Sequence, residues 1–413
     1  MDNMDTHKQA NRSIPVNRDI IPQRAPVPRR VWDYNHIDPA HVRIAQRLSS
    51  PLLLGPPLCD QLVALVQHLF TREEALLVQH MRIPFGNTAR TIAKRAGLAV
   101  NRAAAVLDYL ADEKCVIMAY TIGRRRRYGF LPIVPGIFEY ALMQAREEQL
   151  TDWHKQFARL FEQLFDTGYF KTYARSGKPL IRYLPAQRLV EQPQALPSDR
   201  LADVLTAYDA FAVGLCQCRL AERMAGRGCD APIDNCVAFG DSARLMVHAG
   251  KMRSATLEEV LAIKADAEAH GLATFVVEYT MGKNRGGGSC SCCGCCCHGL
   301  KMITQFDTPG LVAPSRFAPH WQSEKCVFCS ACVTACPVGA IRLDKGANRL
   351  SFKEDYCIGC GLCAVACKPQ AIAMQPRQGY HRPPRHLAGI LLQLLPHLWR
   401  MVLMARRRKR VST

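Results

Sequence analysis

The sequence predicts an α+β chain of several domains, and three observations carry that prediction. Apolar residues recur at helical spacing from residue 59 to about 113, and a short two-stranded pattern follows. All of the twenty cysteines except Cys59 and Cys115 fall into two crowded stretches, 216–297 and 326–367. The second stretch holds two copies of one cysteine pattern, with Cys326 aligned on Cys357 and Ile341 on Ile372. A length of 413 residues with 48% hydrophobic content supplies material for two or three real cores.

A cysteine count this high marks a disulfide scaffold only in a short secreted chain. The opening MDNMDTHKQANRS has no apolar run of the secretory type, so reduced thiols in the cytoplasm are the expectation. The formal net charge of +19 calls for an acidic partner, whether nucleic acid, anionic lipid or an acidic redox protein.

Taken in order, residues 1–58 are rich in Pro, Arg and Asn without a sustained period, and read as an extended basic arm. Residues 59–175 form the first compact unit. QLVALVQHLF and EEALLVQHM repeat at helical spacing. Thr88 caps a helix through Ala96, Gly97 makes the turn, and a second helix runs from about Val100 to Glu113. CVIMAYTI, a turn at Gly123 and RRRRYGFL make a hairpin. Helices followed by a hairpin in this way resemble a winged helix-turn-helix domain. That resemblance puts Arg124, Arg125, Arg126 and Arg127 on a wing near phosphates, with Arg102 at the start of the base-reading helix. The next positions of that helix are Ala103, Ala104, Ala105 and Val106, which offer bases no hydrogen bonds. A docking or packing module is therefore favoured over a DNA reader. In LTDWHKQFARLFEQLFDTGYF the residues Trp153, Phe157, Leu160, Phe161, Leu164 and Phe165 share one helical face, the mark of a core helix. A Pro-rich passage near 175–200 reads as a linker.

Residues 201–300 form a Cys-rich α/β middle domain. Cys216, Cys218, Cys229 and Cys236 are spaced as C-x-C-x10-C-x6-C. Two helices follow, through DSARLMVHAG and TLEEVLAIKADAEAHG, then the strand ATFVVEY and a flexible MGKNRGGGS. CSCCGCCC then crowds Cys290, Cys292, Cys293, Cys295, Cys296 and Cys297 together. So many neighbouring thiols cannot pair as ordinary disulfides. They suit metal: a further iron–sulfur cluster is favoured, zinc or copper(I) is the softer-metal alternative, and a third reading has only part of the run engaged with some thiols left free. Lys283, Arg285 and Lys301 flank the run with positive charge that suits an anionic centre. His298 reads as a neighbour of the metal and not as a ligand.

Residues 315–378 carry CVFCSACVTACP and CIGCGLCAVACKP, each with the spacing C-x2-C-x2-C-x3-C and a Pro close behind. Structural zinc sites prefer C-x2-C pairs separated by a longer stretch, which this pattern does not match. The segment resembles a bacterial-type ferredoxin domain with two [4Fe-4S] clusters. In that family the fourth cysteine of each repeat ligates the other cluster. The resemblance therefore implies Cys326, Cys329, Cys332 and Cys367 for one cluster, and Cys357, Cys360, Cys363 and Cys336 for the other. It also implies a pseudo-twofold β-α-β repeat, with strands near Ala340–Asp344 and Leu350–Phe352.

Together, CQCR, CSCCGCCC and the doubled motif resemble a family of multi-cluster 4Fe-4S ferredoxin-type proteins. The tail 386–413 joins LAGILLQLLPHLWRMVLMA to RRRKR. From Arg377 to Arg410 it holds nine Lys or Arg and no acid. Interruptions at Gln393, Pro396, His397 and Arg400 favour an interfacial helix over a span, with residues 387–410 on an anionic membrane surface. The competing expectation is a helix docked back on the protein. No Gly-rich phosphate loop, flavin motif or acid–base constellation points to a small-molecule substrate. The leading expectation is an electron carrier or electron-transfer subunit serving a redox partner protein, cytoplasmic and peripheral on the inner face of the membrane. The alternative is a redox-sensing winged-helix regulator that binds DNA.

Overall fold

A computed structural model describes residues 25–83, 86–173, 182–184, 200–281, 284–309, 314–344, 346–378, 380, 399 and 402–408. It mixes helix and sheet, with a helical layer, a six-stranded sheet and a small cysteine-looped C-terminal unit.

The helical layer begins inside the stretch expected to be an extended arm. Helix α1 (Pro39–Leu48) is capped by Asp38, whose side chain accepts from the Ala40 N–H, and Pro39 starts it. Ile44, Ala45 and Leu48 of α1 are fully buried, so the arm reading fails for this part of 1–58. Residues 1–24 lie outside the described residues. α2 (Asp60–Leu69), α3 (Arg72–Val78), α4 (Ala89–Ala96) and α5 (Val100–Asp108) follow. Thr88 caps α4 as expected, and Gly97 ends it at φ 68°, a left-handed angle suited to glycine. Strands β1 (Met118–Ile122) and β2 (Arg125–Gly129) pair antiparallel, and Asn87 bridges Tyr128 beside them. α6 (Phe138–Leu142) precedes α7 (Asp152–Phe165), which buries Phe157, Phe161, Leu164 and Phe165. Cys59 and Cys115 are buried thiols of this layer.

The antiparallel sheet comprises β3 (Arg182–Tyr183), β4 (Phe211–Gly214), β5 (Cys236–Gly240), β6 (Arg253–Ala255), β7 (Ala273–Met281) and β8 (Asn284–Cys292). Its order is β3-β7-β8-β5-β4-β6. Helices α8 (Leu201–Leu205), α9 (Gln217–Met224), α10 (Asp241–His248) and α11 (Leu257–Ala269) connect these strands. The glycine-rich segment read as flexible is mostly strand: β8 pairs with β7 along its whole length. A Cβ on Gly287 would stand 2.2 Å from the Val277 carbonyl and 2.5 Å from the Phe239 ring. Only glycine lets that ring lie flat on the strand.

Helix α12 (His298–Thr304) leaves the cysteine run and returns to the helical layer, where Met302 and Phe306 join the core of α7. The layer and the middle region therefore share a core. In the C-terminal unit β9 (Phe317–Trp321) pairs with β12 (Ile372–Pro376), and β10 (Ile341–Asp344) with β11 (Arg349–Phe352). Short helices α13 (Ala331–Ala335) and α14 (Leu362–Val365) carry the third cysteine of each repeat.

Candidate metal centres

Each C-terminal repeat wraps its loop with left-handed backbone at the same three offsets. Phe328, Ser330 and Gly339 have φ of 52°, 68° and 60°; Gly359, Gly361 and Gln370 have 66°, 75° and 55°. Such residues reverse the chain between cysteines, so that successive thiols converge. At Gly359 the requirement is absolute, because a Cβ would lie 2.2 Å from the Phe317 carbonyl oxygen.

The two loops frame two open cavities. The first is lined by Cys326, Cys329, Cys332 and, from the other repeat, Cys367. The second is lined by Cys357, Cys360, Cys363 and, reciprocally, Cys336. Apolar walls complete both, including Trp321, Leu350 and Ile372 in one and Val338, Ile341 and Phe352 in the other. Backbone donors reach the sulfurs symmetrically: Ala340 N–H to Cys336 Sγ and Ala371 N–H to Cys367 Sγ, both 3.2 Å. Gly359 N–H adds a 3.3 Å bond to Cys357 Sγ. Donors aimed at sulfur stabilise thiolate and cluster charge. Burial, followed by the neighbouring Cys367, Cys326 and Cys329, pushes the Cys332 thiol up to about 11. Burial raises Cys360 and Cys363 as well. Loading these cavities with metal must therefore expel protons. Four convergent thiols, N–H···S donors and apolar walls fit a cubane cluster. Cys329 is exposed, which puts the first cavity nearest solvent.

The middle cysteines separate into two groups. Cys229, Cys293, Cys295 and Cys296 have sulfurs all within 4.8 Å of one another. Around buried Lys264 stand Cys216, Cys236, Cys290 and Cys292, whose charges act on its ammonium. Cys297 links this second group to Cys218 through hydrogen bonds with Cys218 and Cys292. The sheet explains the gathering. Cys236 starts β5, Cys290 and Cys292 end the adjacent β8, and Cys216 and Cys218 open α9 just after β4. Lys264 is 1% exposed and donates to the Ser289 carbonyl at 2.9 Å, to Ser291 Oγ at 3.1 Å and to the Asn235 carbonyl at 3.3 Å. Burial lowers its pKa, and the cysteine sulfurs act in the opposite direction. Arg219 is fully buried, with 3.1 Å to the Ser291 carbonyl and 3.8 Å to Cys293 Sγ. Two buried cations, each beside one thiol group, are costly unless anions face them.

A charge network joins these thiols to the helical layer. His298 Nε2 donates to Glu162 at 2.7 Å. Arg227 reaches Glu162 at 2.9 Å, Glu222 at 3.0 Å and Asp166 at 2.6 Å, and Lys301 donates to Glu222. Phe138, Phe161 and Phe165 present their edges or faces to the His298 ring. Burial pushes Glu162 up, but His298 and Lys301 outweigh it and bring the carboxyl down to about 2. Glu162, Glu222 and His298 are close enough to hold an ion. Lys301 and Arg227 already neutralise those carboxylates, so the trio is an ion-pair network. His298 thus stands beside the thiols without joining them.

The run touches the C-terminal unit at one tight point. A Cβ on Gly294 would stand 1.9 Å from the Pro337 carbonyl, directly after Cys336. Cys292, Cys297, Leu300 and Ile303 share a core with Val338, Ile341, Ile358 and Leu362.

Of the basic residues considered for nucleic acid, Arg102, Arg124 and Arg125 are exposed. Arg126 pairs with Asp108 at 2.9 Å and Asp112 at 2.6 Å, and Arg127 donates to the Gly86 carbonyl at 2.8 Å. Half of the basic run is thus committed within the protein. Most of 387–410 lies outside the described residues. Residues 402–408 are helical, and Arg408 donates to the carbonyls of Ser49 and Gly55 at 3.1 and 2.5 Å. Met404 packs on the helical layer. Among the described residues no helix is long and apolar enough to cross a membrane.

The crossed cysteine cavities and the many clustered cysteines support an iron–sulfur protein. The family model for a 4Fe-4S dicluster domain matches residues 325–371, which indicates 4Fe-4S cluster binding in a C-terminal ferredoxin-type domain and supports an iron–sulfur electron-transfer role. No solved structure matches the chain.

Proposed function

We propose that the chain is a ferredoxin-type carrier or electron-transfer subunit that passes single electrons through two C-terminal [4Fe-4S] clusters and a further iron–sulfur centre in the middle region. Cys326, Cys329, Cys332 and Cys367 hold one cluster; Cys357, Cys360, Cys363 and Cys336 hold the other. The observation that carries this reading is the crossing, since each cavity takes three cysteines from one repeat and one from its twin. The clusters supply one-electron redox chemistry. The chain's residues hold them apart from water, donate N–H groups to their sulfurs and set their order. Cys329 is the exposed end for a redox partner protein. The Gly294–Pro337 contact is the inner end, leading to Cys218, Cys297, Cys292, Cys216, Cys236 and Cys290, with Lys264 offsetting the charge of that centre.

The helical unit with its hairpin serves as a winged-helix packing module. Asp108 and Asp112 occupy Arg126, which disfavours the DNA-binding regulator. The docking of Arg408 and Met404 favours a tail folded back on the protein over one lying on anionic lipid.

Anaerobic purification with iron and acid-labile sulfide counts tests the reading, joined to EPR of the dithionite-reduced protein. More than about eight irons per chain is expected, with the magnetic coupling of neighbouring reduced clusters. A colourless, iron-free protein ends it.

A further inference from the structure

Four sulfurs in the middle region stand too close together for a cubane. Cys229 Sγ lies 3.8 Å from Cys293 Sγ and 3.6 Å from Cys296 Sγ, and Cys295 Sγ lies 3.6 Å from Cys296 Sγ. Four thiolates set tetrahedrally about one ion at about 2.3 Å are separated by about 3.8 Å, the edge of that tetrahedron. In a cubane each thiolate ends on a different iron, and the inorganic core holds the sulfurs further apart. The same molecule supplies the contrast. Among the described residues, the eight cysteines lining the two cavities form no group within 4.8 Å, whereas this quartet does. A disulfide does not explain the closeness, because a bonded pair would stand at about 2.05 Å and all four are free thiols.

We propose that Cys229, Cys293, Cys295 and Cys296 bind a single zinc ion in a closed four-thiolate site. Cys293 and Cys296 are 1% and 0% exposed, and Ala267 and Leu272 pack around them, which leaves no open coordination position. A divalent ion with four thiolates carries two negative charges in excess. Arg219 faces that charge from 3.8 Å, fully buried, with its Nε lacking any other partner. A guanidinium buried without a carboxylate is costly unless an anionic centre stands beside it. Zinc has no redox chemistry, so this ion fixes geometry. It ties the loop around Cys229 to the run on either side of Gly294, and so holds the surface on which Pro337 rests. The proposal removes four thiols from the middle iron–sulfur centre and leaves the cubane cavities as they are.

The full-length protein, purified anaerobically in chelator-treated buffers, is analysed for zinc and iron together, and zinc-edge EXAFS is recorded on the wild type. About one zinc per chain in a shell of four sulfurs near 2.3 Å is expected. The double variant Cys293→Ser/Cys296→Ser should lose that zinc with its iron content and reduced EPR signals unchanged. A zinc-free wild type, a mixed nitrogen–sulfur shell, or loss of iron from the double variant would overturn the proposal. Should that variant fail to accumulate, the half-buried Cys295→Ser and the wild-type EXAFS decide the matter. Iron reports on the cubane reading and zinc on this one, so either can fail alone.

Discussion

The C-terminal and middle cysteines share one chemistry and differ in spacing. At the C-terminal end a short repeat with left-handed hinges holds its thiols apart around two open cavities. In the middle, thiols far apart in sequence are brought together, and four of them, on the loop after α9 and the turn after β8, reach near-contact. On the proposed assignments, the room left between sulfurs, more than their number, separates a multi-iron core from a lone ion.

The comparison breaks most visibly at the crossing. Cys367→Ser should remove the cluster held by the first repeat's Cys326, Cys329 and Cys332 and spare the one held by the second. The expected loss is about four irons per chain, with the inter-cluster EPR coupling abolished. Loss of the second repeat's cluster instead would mean that each repeat keeps its own ligands.

The next effect tests how the middle thiols are anchored to the helices. Glu162 is 2% exposed, accepts from His298 and Arg227, and forms an ion pair with Lys301 at 3.7 Å. Glu162→Gln should cost about 3–5 kcal/mol, because it strands buried cations, and should loosen the middle centre before the C-terminal clusters. Chemical denaturation followed at cluster absorbance reads both. The pH dependence has a definite sign. The folded pKa is depressed, so the stabilisation is present above the unfolded value of about 4.3 and is lost as pH falls through about 2. In the Gln variant that loss should vanish.

Smallest is the effect at the junction. Gly294→Ala puts a methyl against the Pro337 carbonyl and should cost about 1–3 kcal/mol of overpacking. Iron content should hold while electron exchange between the two regions slows in rapid-mixing spectroscopy. An unchanged rate would detach the middle thiols from the relay.

The C-terminal unit was readable from sequence because cluster ligation imposes short, repeated spacings on neighbouring residues, and the expected strands and α13 and α14 follow from it. The middle was harder. Cys229 joins Cys293 and Cys296 across more than sixty residues, a pairing set by the sheet and invisible to local spacing. Strand β8 escaped for a related reason: its glycines carry no strand propensity, and Phe239 requires them. Helix α1 did leave a signal in Asp38–Pro39 with Ile44 and Leu48 four apart, overshadowed by the prolines and arginines around it. Thr88, Gly97 and the aromatic stripe of α7 are local rules, and each kept its place.

Arg408 grips the carbonyls of Ser49 and Gly55 from 359 and 353 residues away. A clasp of that span encloses both cysteine stretches, and its loop-closure cost is met only once the segments between have been drawn together. Arg408→Ala would therefore unfasten this outer seam while the cysteine stretches 216–297 and 326–367 keep their packing.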